Sequence, residues 1–175
     1  MTQGNFLFIG DYLIANYDWQ KRMPFFEVSS FGFPLNKAEE VLKKLPQIEK
    51  QSPTPDIILI MAGVNNVIVK DYTFVDQIRR MVIRLSNIYP EAEIIINSLP
   101  NIRVSFVVED AIYHLNQNIQ LMASQTGCCY LDNFAILSKK ETDLFTNGGI
   151  DLTDQSYDMW SRSILEFVAF LFEDD

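Results

Sequence analysis

Short apolar segments alternate along the chain with longer segments in which apolar residues recur every three or four positions. The first pattern is typical of buried strands, and the second is typical of amphipathic helices packed on a sheet. The short segments predict five strands, at residues 6–9, 25–29, 56–62, 93–98 and 128–132. Because strands and helices alternate, we expect a parallel sheet that is covered on both faces and connected by right-handed crossovers.

Four helices are predicted between and after these strands. One begins near Asn36 and Glu39, the next begins near Thr73, the third ends near Gly127 and the last contains Trp160. Five strands favour a flavodoxin-like three-layer sandwich with the order 2-1-3-4-5, formed by residues 1–175 as a single domain. In that order a ligand crevice opens beyond the carboxyl ends of strands one and three.

Composition narrows the classes of function. The chain has 175 residues with 14 basic against 23 acidic side chains, and its net charge of -9 disfavours nucleic acid as a partner. No apolar stretch reaches the ~18 residues of a membrane span, and the segment 1–5 lacks the pattern of a secretory signal. We therefore expect a cytoplasmic protein without a membrane partner. The adjacent Cys128 and Cys129 predict neither a disulfide nor a metal site.

Five segments carry short motifs near the ends of the predicted strands: Gly10-Asp11-Tyr12, Ser30-Phe31-Gly32-Phe33-Pro34-Leu35, Gly63-Val64-Asn65-Asn66, Leu99-Pro100 and Asn147-Gly148-Gly149-Ile150-Asp151-Leu152. In this order they resemble the sequence blocks of the SGNH hydrolases, also called the GDSL esterase/lipase family. The likeness spans nearly the whole chain. It implies the SGNH-hydrolase fold and, where the site is intact, the hydrolysis of esters.

The chemistry of that family needs a serine nucleophile, a histidine base, an aspartate that orients the base, and oxyanion donors that include a glycine and an asparagine. At the positions of the serine, histidine, aspartate and glycine, this chain has Tyr12, Asp151, Gly148 and Leu35, respectively. Only Asn65 and Gly32, which lies in the second of the five motifs, match their family residues. The resemblance therefore implies a degenerate catalytic triad.

The candidate site residues follow from these positions. The catalytic positions are Tyr12, Asn65 and Asp151, and the candidate binding residues are Asp11, Gly32, Leu35, Asn66 and Gly148. We expect the Tyr12 ring to fill the crevice, with its hydroxyl against Asn65 or Asp151. The single histidine, His114, falls inside the third helix, where no catalytic duty is expected. No cofactor or metal is expected, because the loop carboxylates have no accompanying histidine or cysteine.

Three functional hypotheses stay open at this point. The first is a degenerate SGNH protein that binds an unidentified small molecule or protein partner without hydrolysing it. The second is a carboxylester hydrolase with a site rebuilt from Tyr12, Asn65 and Asp151. The third is an interaction protein whose last helix, with Phe170 and Phe172, supplies the face of a homodimer.

Overall fold

The computed structural model describes residues 4–52, 54–108, 110–138, 144–146 and 148–173. These residues contain a five-stranded parallel sheet in the order β2-β1-β3-β4-β5. Its strands are β1 (Asn5–Gly10), β2 (Glu27–Gly32), β3 (Ile57–Met61), β4 (Glu93–Asn97) and β5 (Cys129–Leu131). The flavodoxin-like order predicted from the sequence is confirmed.

Helices cover both faces of the sheet. They are α1 (Tyr12–Ala15), α2 (Trp19–Arg22), α3 (Ala38–Gln51), α4 (Val64–Ile68), α5 (Val75–Ile88), α6 (Ala111–Thr126), α7 (Asn133–Ser138) and α8 (Asp154–Glu173). In one layer α5 packs between α3 and α6, and in the other α8 packs against α2 and α7. The four longer helices were predicted. The others have four to six residues, too few for a periodic apolar pattern to reveal.

Two predicted boundaries are wrong. The second strand begins at Glu27 and not at Phe25, because the Phe26 N–H donates to the Met23 carbonyl and holds the preceding residues in a turn. Helix α3 is capped at Lys37, whose N–H donates to the Glu40 carboxylate at 2.8 Å. The predicted cap one residue earlier does not form, because Glu39 instead accepts from the side chains of Lys37 and Asn66.

An aromatic cluster fixes α8 on the sheet. The Trp19 ring stacks on Phe8 at 4.5 Å between centroids and meets Trp160 edge-on at 4.8 Å. The Trp160 Nε1–H donates to Asn97 Oδ1, at the carboxyl end of β4. The first half of α8 therefore lies near the carboxyl edge of the sheet. Among the helices of the described ranges, none combines the length and apolarity needed to cross a bilayer.

Candidate functional site

The carboxyl ends of β1 and β3 lie side by side, at the edge where this kind of sheet binds its ligands. Gly10 and Met61 are paired there, and a Cβ atom on Gly10 would lie 2.1 Å from the Met61 carbonyl oxygen. The motifs that follow these two strands, at residues 10–12 and 63–66, lie largely at the starts of helices. Tyr12 begins α1, and Val64 begins α4 directly after Gly63, whose φ of 123° is a conformation that favours glycine.

Asp11 joins the two strand ends from inside the protein. Its side chain is fully buried, and Oδ2 accepts from the N–H groups of Gly63 at 3.0 Å and Val64 at 2.9 Å. Its other oxygen, Oδ1, has no hydrogen-bond partner in the part of the chain that the structure describes. Burial raises the pKa of Asp11 from 3.8 to about 6, and the backbone N–H donors offset only part of that rise.

Asn65 holds the loop between β2 and α3. Its Nδ2 donates to the carbonyl oxygens of Pro34 at 3.0 Å and Asn36 at 2.8 Å. Both amide hydrogens are therefore used within the protein. An oxyanion would receive a hydrogen bond from this side chain only if one of the two contacts to the loop were released.

Asn66 is fully buried and ties three segments together. Its Oδ1 accepts from the Ala38 N–H at 2.9 Å, at the start of α3. Its Nδ2 donates to Glu39 at 3.1 Å and to Asp71 at 2.8 Å. The amide is fully hydrogen-bonded and has no exposed surface. In this geometry it positions the loops and does not reach a ligand.

Tyr12 is half-buried and packs against the hydrophobic core. Its hydroxyl is buried, yet it has no hydrogen-bond partner among the described residues. The prediction that this hydroxyl bonds to Asn65 or Asp151 is wrong. The reason is that the Asn65 amide is committed to the β2–α3 loop and the Asp151 side chain is exposed to solvent.

The remaining predicted residues lie at or near the surface. Asp151 and Gly148 are exposed, and Leu35 is 91% exposed. Gly32 is half-buried, and a Cβ atom there would lie 2.2 Å from the Ala15 backbone nitrogen. The side chains of Asp11, Asn65 and Asn66 are thus each hydrogen-bonded to other segments of the protein, while Gly148 and Asp151, at the positions of the family's aspartate and histidine, are exposed. Asn147, beside Gly148, lies outside the described residues.

Tyr157 is a residue of this region whose role the sequence analysis missed. It lies on α8, and its hydroxyl donates to the Leu13 carbonyl of α1 at 2.8 Å. Burial raises the pKa of the Tyr157 hydroxyl above its ordinary value, and the nearby carboxylates of Asp151 and Asp11 raise it further. The helical spacing of Tyr157 and Trp160 was a signal of its burial, but its partner lies 144 residues away.

His114 does not complete the site. It is exposed on α6, with Nδ1 at 3.3 Å from Gln117 Oε1 and its ring 5.5 Å from that of Tyr113. Helix α6 belongs to the layer of α3 and α5, whereas α8, which begins three residues after Asp151 in the sequence, belongs to the other layer. Within the described residues, no group of three or more histidine, cysteine, aspartate or glutamate side chains is placed to hold a metal ion.

The sheet order, the helices on both faces and the strand ends that carry the motifs define the SGNH-hydrolase fold, and the chain has this fold. A GDSL-like lipase from Bacteroides thetaiotaomicron is 19% identical, with 96% of this chain and 89% of that chain covered and a TM-score of 0.77. A lipase/acylhydrolase from Enterococcus faecalis is also 19% identical, with 95% of each chain covered and a TM-score of 0.77.

A variant of an acetyl xylan esterase from Geobacillus stearothermophilus is 14% identical, with 94% of each chain covered and a TM-score of 0.73. No protein-family model and no curated protein matches the sequence. At these identities the likeness establishes the fold, while the chemistry has to be argued from the residues of this chain.

Replacing Tyr12 with phenylalanine is expected to raise the free energy of unfolding by about 1 kcal/mol, because its buried hydroxyl bonds to none of the described residues and so costs stability. Urea denaturation measures the change. Tyr89→Phe is the matched control, because the Tyr89 hydroxyl donates to the Ser52 carbonyl at 2.9 Å and its loss should be destabilising. A destabilised Tyr12→Phe variant would show that the Tyr12 hydroxyl makes a stabilising interaction.

Proposed function

We propose that this chain is a non-hydrolytic protein of the SGNH-hydrolase fold, which binds a small molecule or a protein partner and leaves ester bonds intact. The observation that carries the proposal is the state of the nucleophile position. It is occupied by Tyr12, whose hydroxyl is buried and bonds to no base among the described residues. Residence in the cytoplasm and the absence of a cofactor stay predictions from the sequence.

The first argument concerns activation of the phenol. Reference pKa values of ~10 for a phenol and ~3.9 for a carboxyl group mean that an ordinary carboxylate is far too weak a base to take the proton of a tyrosine hydroxyl. Asp151 is also exposed to solvent, which keeps its carboxylate hydrated. Asp11, whose pKa is raised to about 6, uses one oxygen to bind the N–H groups of Gly63 and Val64.

The second argument concerns the size of the effects. Loss of the nucleophile or of the base lowers the turnover of a serine hydrolase roughly a millionfold, whereas one oxyanion donor contributes about a hundredfold to a thousandfold. The family donor that this chain keeps is Asn65, whose amide hydrogens already bind Pro34 and Asn36. A retained asparagine therefore does not compensate for the missing nucleophile and base.

A carboxylester hydrolase with a rebuilt site is the second candidate function. The named activities of structural neighbours, a GDSL-like lipase and an acetyl xylan esterase, favour it. Asp151 also lies close enough to the crevice for its charge to raise the pKa of Tyr157. For this function Tyr12 would have to turn out of the protein and meet a base.

The two functions differ in a direct assay. Purified protein is incubated with aryl acetates and aryl butyrates, and separately with a fluorophosphonate probe, beside an active esterase as the positive control. We expect turnover no faster than that of the Asn65→Ala and Asp151→Ala variants, and no covalent labelling.

Turnover that disappears in both variants, but persists in Asn87→Ala, would contradict the non-hydrolytic proposal. Asn87 is an exposed residue on α5 and serves as the control for a simple loss of an amide. Labelling of the folded protein that is lost on heating would contradict it as well.

A further inference from the structure

An apolar groove opens at the amino edge of the sheet, far along α8 from the candidate site. It has a volume of about 470 Å³ and is lined by Phe25, Phe26, Leu165, Val168, Ala169, Phe172 and Glu173. We call it the amino-edge groove. Its walls carry large exposed aromatic rings, since Phe25 is 59% and Phe172 is 52% exposed. Clustered exposure of this kind marks interaction sites more often than single exposed apolar residues do.

The shape of the groove comes from two elements. Four residues of α8 recur at the spacing i, i+3, i+4 and i+7 and so form one stripe along the helix: Leu165, Val168, Ala169 and Phe172. Ala169 is the smallest of them and leaves depth in the middle. The floor is Phe26, which is buried and packs edge-on against Phe6 at 5.6 Å.

One side chain holds in place the part of the groove that Phe25 and Phe26 form before β2. Gln20 Nε2 donates to the carbonyl oxygens of Met23 at 3.3 Å and Phe26 at 3.0 Å, and its Oε1 accepts from the Val28 N–H at 3.0 Å. The groove is therefore preformed. The Val28 N–H of the edge strand is also occupied, which disfavours a partner that adds a strand to the sheet here.

The charges around the groove select its partner. Glu173 lines it, and the exposed residues Glu27 and Glu166 follow the lining residues Phe26 and Leu165 in the sequence. A second copy of the chain would bring the same acidic rim and a net charge of -9, which opposes self-association.

We propose that the amino-edge groove docks an amphipathic helix of a partner protein, whose apolar ridge enters the groove and whose lysine or arginine flanks meet the acidic rim. Helices bind apolar grooves through side chains at the same i, i+3, i+4 and i+7 spacing. The inference rests on the partner-binding role proposed above and gives it a surface. The two proposals are tested separately. Ester hydrolysis by the protein would contradict the non-hydrolytic role, but it would not show whether the groove binds a helix.

The experiment uses a fluorescent 18-residue peptide of leucine and lysine with its leucines in one helical stripe, and measures binding to the whole protein by anisotropy. A peptide of the same composition in scrambled order, and a leucine–glutamate version of the striped peptide, are the controls. We expect the striped basic peptide alone to bind, and its affinity to fall as the salt concentration rises.

Variants locate the binding surface. Ala169→Trp fills the groove, Phe172→Ser removes a wall and Glu173→Lys reverses the rim charge, and each should weaken binding about tenfold or more. All three positions are exposed, so the fold is expected to survive. Ile83→Ser, at an exposed apolar position on α5, is the matched control and should bind like the wild type.

Two results would overturn the proposal. One is that the scrambled peptide binds as tightly as the striped peptide, or that the groove variants bind the striped peptide as tightly as the wild type does. The other is a wild-type homodimer in sedimentation that Phe172→Ser converts to a monomer, which would assign the groove to a second copy of the chain.

Discussion

Replacing Gly10 with alanine is expected to destabilise the protein by about 3 kcal/mol or more, because the added methyl group meets backbone atoms that have no room to move. The new Cβ would lie 2.1 Å from the Met61 carbonyl oxygen and 2.5 Å from Ile14 Cγ1. Both β1 and β3 are central strands, so a shift of either one disturbs the whole sheet. The midpoint of thermal unfolding should fall by roughly 6 to 12 °C.

Gly148→Ala is the matched control for this prediction. Gly148 is exposed, and a Cβ atom there would have no heavy atom within 4 Å. Calorimetry on both variants should therefore separate them clearly. Equal unfolding midpoints for Gly10→Ala and the wild type would show that the ends of β1 and β3 are not packed as closely as the structure has them.

Replacing Asp11 with asparagine is expected to raise the free energy of unfolding at pH 8 by about 2 kcal/mol. The folded protein buries a carboxyl group whose pKa is raised from 3.8 to about 6, so at pH 8 it must keep a buried charge. Asparagine keeps an oxygen that accepts from the N–H groups of Gly63 and Val64 without that charge. The cost of its buried NH₂ group offsets part of the gain.

The same difference between the pKa values of Asp11 in the folded and unfolded chain determines how its contribution to stability changes with pH. Between pH 4 and 6 the folded wild type binds more protons at Asp11 than the unfolded chain does, so the contribution of Asp11 to stability is fully present below pH 4 and is lost as the pH rises through 6. The total loss from this group is about 3 kcal/mol. In Asp11→Asn that contribution disappears.

Urea denaturation at pH 4.5, 6 and 8 measures the difference between the wild type and the variant, so that other titrating groups cancel. Asp151→Asn is the control, because it makes the same carboxylate-to-amide change at a position exposed to solvent. A variant that is less stable than the wild type at pH 8 would show that the negative charge itself holds the N–H groups of Gly63 and Val64.

The sheet could be predicted from the sequence because strands such as β3 are apolar throughout and buried on both faces. The start of β2 could not be predicted. Phe25 and Phe26 look like strand residues, but Phe26 lies in a turn that hydrogen bonds from Gln20 hold in place. Two adjacent apolar residues do not indicate whether the backbone groups around them hydrogen-bond to a neighbouring strand or to a side chain.

The positions of the candidate site could be read from short motifs, but their roles could not. Asn65 stands at the place of a family oxyanion donor, yet it binds two backbone carbonyls of a loop about thirty residues earlier. Every residue has a backbone carbonyl, so the sequence does not indicate which of them accepts a given hydrogen bond. Such a contact is visible only in the folded chain. The same holds for Tyr157, whose hydroxyl partner is the Leu13 carbonyl.

The binding of Asn65 to the loop between β2 and α3 has a consequence for anyone who wishes to install catalysis on this scaffold. Restoring a serine at position 12 would supply a nucleophile at the crevice, but the one asparagine able to stabilise the reacting oxygen would still be bound to Pro34 and Asn36. Redesign of the loop at residues 33–37 would have to come first, so that the amide is freed before a histidine base is introduced.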